Sequence, residues 1–206
     1  MALGQDRLPT RSTLLELRDE RQIMQEGYRF LDEKRLLLAA ETLRQLGRYE
    51  ESMTEFQAQQ RKAVEALRSA VGRHGLEALS LYPGAAPAAP TEPRRYNFLG
   101  VRLLDPSHAD DPPLGETPPA EDPSPQARRA ADIYHGLMLR ARELAVLSGN
   151  LHRLIDDYRR TERRARALED VLLPETEEAV RELEERLDDL DQEEAIRVRM
   201  KARSQS

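Results

Sequence analysis

The sequence predicts a mainly α protein: a long antiparallel two-helix coiled coil with a short β-hairpin and a proline-rich loop in the middle. Three observations predict it. Charged residues make up 34% of the 206-residue chain and aromatics 4%, with no Trp, a composition suited to long or coiled helices and poor for a globular core. Apolar residues recur at steps of three and four over two stretches, roughly 10–78 and 124–203. Eleven of the thirteen prolines lie between Pro83 and Pro125, a density of breakers that no helix survives. Helices of ~70–80 residues would each be roughly 105–120 Å long. Joined at the middle, they bury their apolar stripes by folding back on each other. The organisation is then an N-terminal shaft helix (1–80), a proline-rich middle (81–123) and a C-terminal shaft helix (124–206).

Helix one has start signals: Pro9 precedes Thr10, and Thr13 with Glu16 fits a capping box. Its seam reads Leu14, Leu17, Arg21, Met24, Tyr28, Leu31, Arg35, Leu38 and Thr42. An extra step of four then leads to Leu46, followed by Tyr49, Met53, Phe56, Gln60, Ala63, Leu67 and Ala70. Such an inserted step predicts a stutter, which locally unwinds a supercoil. The glycines at 27, 47, 72, 75, 136 and 149 sit in or near helical pattern, each at a cost of about 1 kcal/mol relative to Ala.

Helix two opens with Ser124 as N-cap and Pro125 at the first helical position, where a missing N–H costs nothing. Its seam reads Leu144, Leu147, Leu151, Leu154, Tyr158, Thr161, Ala165, Leu168 and Leu172, then more loosely Ala179, Leu183, Leu187 and Leu190. Pro174 falls inside this pattern and predicts a kink or brief break, since proline lacks the amide and clashes with the carbonyl four residues back. Near-equal lengths and matching stripes predict antiparallel pairing, with Leu14 to Leu38 facing the region beyond Ala179.

In the middle segment, Tyr96 and Phe98 alternate, and Val101 and Leu103 continue after a phase slip at Leu99–Gly100. This reads as one strand with a β-bulge at the glycine, its hairpin partner drawn from 79–82. The stretch 108–123 reads as an extended loop, and 83–123 should hold no α-helix longer than about two turns.

Motifs for chemistry are lacking. The chain has three lysines, Lys34, Lys62 and Lys201, none after a glycine, and so no phosphate-cradling P-loop. His74, His108, His135 and His152 are scattered without ligand spacing, and there are no cysteines. No metal, cofactor or catalytic residue is expected, and the protein reads as a non-enzyme. The longest purely apolar run, 36–40, is far too short to span a bilayer. Without a visible secretory signal, the expectation is a soluble cytoplasmic protein that does not insert in membranes. A net charge of −6 disfavours nucleic acid as a partner.

Charge is banded. Arg159, Arg160, Arg163, Arg164 and Arg166 form a basic cluster, and eleven acidic residues then fall between Glu175 and Glu194. Arg197, Arg199, Lys201 and Arg203 close the chain. These bands read equally as a solvated helix face with basics complementing the macrodipole, or as bands that meet partners at set heights.

Leu8-Pro9-Thr10-Arg11 with Leu14 and Leu15, then Glu26-Gly27-Tyr28, Leu31 and Glu33-Lys34-Arg35, resembles the N-terminal pattern of the D subunit, the central-stalk rotor of V/A-type rotary ATPases. Thr161-Glu162-Arg163-Arg164-Ala165-Arg166-Ala167-Leu168-Glu169 is similar to the family's C-terminal signature, with Arg166 where Asn is usual. Leu173-Pro174, Glu193-Glu194 with Ile196-Arg197, and Asn97-Phe98-Leu99-Gly100-Val101 continue the likeness. The resemblance implies a non-catalytic shaft coupling proton- or sodium-driven rotation to ATP synthesis or hydrolysis. Its partners would be an A/B catalytic hexamer around the end bearing the termini, the F subunit at mid-length and a membrane-side socket protein below. The location would be cytoplasmic, peripheral to the inner (plasma) membrane. Partner-contact candidates are Pro9, Thr10, Lys34, Arg35, Arg163, Arg164, Arg166, Leu168, Glu169, Pro174, Arg197 and Arg199. The alternative is a generic antiparallel coiled-coil scaffold or export-apparatus stalk protein, which seam periodicity alone does not separate from a rotor.

Overall fold

The structure, a computed structural model, describes residues 8–82, 94–106 and 124–204. Helix α1 spans Arg11–Ser80. Strands β1 (Arg95–Phe98) and β2 (Val101–Leu104) follow, then α2 (Pro125–Ala167), a π-helical segment (Leu168–Leu172) and α3 (Leu173–Ser204). The chain divides into two compact units, one of residues 1–37 and 158–206 and one of 38–157.

Within the first unit, α1 runs antiparallel to the α2 end and α3. Arg11 bonds Asp191, Arg18 bonds Glu184, and Thr176 donates to the Met24 sulfur. Leu14 and Leu17 pack with Ala179, Val180, Leu183 and Leu187 in its apolar core. Only the start of the predicted Leu14–Leu38 stretch therefore faces the chain from Ala179 onward. Met24 and Tyr28 already reach Thr176 and Glu169. Leu190, expected in the seam, is 47% exposed.

The second unit pairs α1 with α2 in the same sense, through Arg140 with Glu55 and His74 Nε2 2.6 Å from Ser124 Oγ. Leu38, Ala63, Ala70, Leu144, Leu147, Leu151 and Leu154 are buried.

The start of α1 corrects one expectation. Thr10 is the cap: its Oγ1 accepts from the Thr13 N–H at 3.2 Å, and its carbonyl takes the Leu14 N–H. Thr13 lies inside the helix, so it and Glu16 form no capping box. Near the other end of α1, Gly75 adopts φ 77° and ψ 164° and interrupts the helical backbone. The left-handed φ is one that a β-carbon would penalise. Helix α2 begins as its sequence predicts, with the Ala127 N–H on Ser124 Oγ at 3.1 Å and Pro125 first.

The expected stutter is absent. Heptads run unbroken from Leu17 through Leu38, Gln45 and Ser52, and from Leu14 through Ala63 and Ala70. Gln45 and Ser52 are 2% and 7% exposed. Leu46 and Leu67, which the hydrophobic pattern favours, stand 38% and 41% exposed. Gln45 tolerates the seam because its amide donates to Glu41 and to the Tyr96 hydroxyl.

The middle strand is also corrected. The two halves of 95–104 pair with each other, Arg95 with Leu104 and Phe98 with Val101. Leu99 and Gly100 are the two-residue turn, with φ 51° and 91°. Positive φ at both central positions is the turn whose twist matches a hairpin. The phase slip is thus a reversal of direction and not a bulge, and residues 79–82 supply no strand. The rest of 83–123 lies outside the described residues.

Pro174 produces no break. The helix passes through one π turn just before it, with the Leu173 N–H reaching back to the Leu168 carbonyl, and α3 continues.

Candidate partner-binding surfaces

All twelve candidates from the sequence fall in the first unit. Several have structural duties. Thr10 caps α1 behind the half-buried Pro9. Arg35 pairs with Asp32 at 2.6 Å, Arg166 with Glu162 at 2.8 Å and Arg197 with Glu193 at 3.3 Å, all along their own helices. Leu168 packs over Gly27 across the helix pair. Lys34 is half-buried, whereas Arg163, Arg164, Pro174 and Arg199 are exposed or half-exposed. The register set by Tyr28 and Glu169 brings Lys34 and Arg35 level with the turn around Thr161. Arg160, Arg163 and Arg164 are exposed along that stretch of α2.

Tyr28 and Glu169 make a further cross-helix polar contact in this unit. The phenol hydrogen-bonds the Glu169 carboxylate, and that bond, with burial behind it, holds the Tyr28 pKa above its ordinary 10.0. The acidic band after Pro174 is partly consumed internally. Asp191 and Glu184 bridge to α1, and Glu178, Glu182 and Glu193 pair with arginines on α3. These pairs are exposed, so each contributes at most about 1 kcal/mol. They fix alignment more than stability.

The second unit holds a polar site that the sequence reading missed. Asn150 is fully buried beside β2. Its Nδ2 donates to the Leu104 carbonyl at 2.7 Å, and its Oδ1 accepts the Leu104 N–H at 2.9 Å. One carboxamide thereby serves as the missing neighbour strand on the outer edge of β2, where unpaired backbone groups would otherwise recruit another chain. On β1, Tyr96 receives the Gln45 amide, and Glu41 accepts from both Gln45 and Arg44. The Arg44 guanidinium and the Gln45 amide hold the Glu41 carboxyl below its usual value, against the opposing effect of burial. With Val101 and Leu103 buried, the hairpin is fastened to α1 through Gln45 and to α2 through Asn150. The available signal was an Asn inside the Leu144–Leu147–Leu151–Leu154 stripe, since a polar group there must have a partner.

A second missed feature is apolar. Ile23, Phe30 and Leu37 recur every seven residues on α1, 68%, 64% and 51% exposed, on a face turned away from the seam. Ile196, Val198 and Met200 are likewise exposed near the end of α3, where every residue from Asp191 to Arg203 is open to solvent. Among the described residues no acidic or histidine cluster is arranged to hold a metal ion, and no helix is long and apolar enough to cross a membrane.

Comparison with known proteins identifies the family. A family model for the D subunit of ATP synthase matches residues 13–203. The A-type ATP synthase D subunit of Methanoregula boonei is 29% identical over the full length of both chains. The V-type ATP synthase D subunit of Anaeromyxobacter dehalogenans is 32% identical over 92% of each. The A-type D subunit of Pyrococcus abyssi is 28% identical over 93% of this chain and 91% of its own. A match that runs through both long helices and the hairpin between them places the chain in the family of ATP synthase D subunits.

Proposed function

We propose that this chain is the central rotor-stalk component of a V/A-type rotary ATPase, a shaft without catalytic residues. It couples ion-driven rotation to ATP synthesis or hydrolysis in a hexamer of A and B subunits. The observation that carries this reading is the family match over residues 13–203, on a chain whose long helices pair antiparallel within each unit. A scaffold of the same periodicity has no reason to carry that match.

The mechanism asks little of individual side chains. An asymmetric pair of helices turning inside three catalytic interfaces presents a different face to each, so the three hold different states at once. The first unit supplies the end bearing the termini, with the Ile23–Phe30–Leu37 stripe and the open end of α3 as surfaces for the hexamer. The exposed Arg160, Arg163 and Arg164, with Lys34 at the same level in register, dock an acidic surface on another component, steering as well as binding it. The F subunit binds at mid-length, a socket protein takes the lower part, and the assembly holds the chain peripheral to the inner membrane.

The test is assembly. Mixed with the A, B and F subunits of a V/A-type enzyme, the chain should co-elute with them and support ATP hydrolysis that turns a bead fixed to it. Failure to join a competent hexamer would leave the scaffold reading. Alone, it should show no saturable binding of labelled ATP at micromolar concentration, since it has no phosphate-cradling loop.

A further inference from the structure

We propose that the π segment Leu168–Leu172 is a one-residue phase-correcting joint, made compatible with Pro174, that sets which face α3 turns to α1. The seam of the first unit shows why a joint is needed. Tyr158, Thr161, Ala165, Leu168 and Leu172 follow steps of three and four. Continued without interruption, those steps put Glu175, Ala179, Glu182 and Arg186 into the interface, and of these only Ala179, 5% exposed, is buried. The other residues buried there are Thr176 at 1%, Val180 at 4% and Leu183 at 4% exposed, with Leu187 packed beside them, a set one residue on from that series. The apolar pattern of α3 is therefore displaced by one residue from that of α2.

One extra residue rotates everything after it by about 100° on an α-helix. A π turn absorbs such a residue, because its bonds reach five back where α bonds reach four. The Leu173 N–H on the Leu168 carbonyl is that longer bond, and the segment sits between the two phases. Pro174 fits only there: it has no amide to donate, and it needs the carbonyl four residues back moved aside. Contacts on both flanks keep the joint in place. Leu168 lies over Gly27 and Glu169 holds Tyr28 before it; Thr176 bonds the Leu172 carbonyl and the Met24 sulfur after it. The phase so set also decides which way the exposed side chains beyond Asp191 point. None of this depends on the rotor reading.

The experiment uses the full chain, which has no native cysteine, with Arg18→Cys and Glu184→Cys as reporters of phase. Deleting Val171 together with Pro174→Ala removes the extra residue and the need for a joint. The helix should straighten and keep α3 in phase, so a short bis-maleimide should link the two cysteines within about twofold of the parent yield. Inserting an alanine after Val171 doubles the error and should lower the yield about tenfold or more. Pro174→Ala should raise the melting temperature of the Val171-deleted chain more than that of the parent, because only the straightened helix clashes with proline. A double variant that loses the cross-link as completely as the insertion does would overturn the proposal. So would a Pro174→Ala effect equal in both backgrounds.

Discussion

Asn150 carries more of the second unit than its single side chain suggests, because it satisfies both backbone groups of Leu104 at once. Asn150→Ala leaves a buried N–H and C=O without partners, which costs about 1–3 kcal/mol. Urea unfolding should show that loss, together with faster hydrogen exchange at β2. Glu41 makes a pH-dependent contribution of definite sign. Its folded pKa is depressed below 4.5 by Arg44 and Gln45. The stabilisation is therefore complete above the unfolded value and disappears as pH falls through the folded one. Melting temperatures followed from neutral pH into the acid range should fall less steeply for Glu41→Gln than for the parent. An equal slope in both would show that the carboxylate does not contribute this way.

Among the elements, the hairpin contains the clearest local conflict. Its turn needs positive φ at both central residues, and Gly100 suits this while Leu99, at φ 51°, does not. A side chain like leucine costs about 1 kcal/mol in that conformation, which asparagine adopts more readily. Leu99→Asn should therefore stabilise the second unit by up to about that amount, read as a higher urea midpoint. Gly100→Val should destabilise it. Leu99 is 40% exposed, so the strained residue also presents an apolar tip outward.

For the whole molecule, the predictions concern assembly. Deleting 194–206 removes residues that are all exposed where described and leaves Leu17, Ala179, Val180 and Leu183 untouched. Stability should change by no more than about 0.5 kcal/mol, and the F subunit should still bind. On the rotor reading proposed above, ATP synthesis in a reconstituted enzyme should fall more than hydrolysis, because the axle's grip in the hexamer would weaken. Reversing Arg163, Arg164 and Arg166 to Glu should instead weaken docking of an acidic partner, most strongly at low salt. Normal synthesis in both variants, with normal assembly, would remove the rotor assignment of these surfaces.

Helical class, antiparallel pairing, the Ser124–Pro125 start and the likeness to rotary-ATPase central stalks were all legible from residue order. Each depends on period, local caps or short motifs that a chain carries wherever it folds. The candidate surfaces were legible only as charge bands and motif matches. Other features needed partners distant in sequence. Gln45 and Ser52 occupy the seam in place of Leu46, and the Gln45 amide nitrogen donates there to a tyrosine on the hairpin and to a glutamate one turn away. Asn150 became a surrogate strand because β2 lies against it. The π turn before Pro174 arose because two helical patterns one residue out of phase must both face α1. Periodicity records which residues are apolar; only packing decides which polar group finds its partner, and where the helix yields to keep its seam closed.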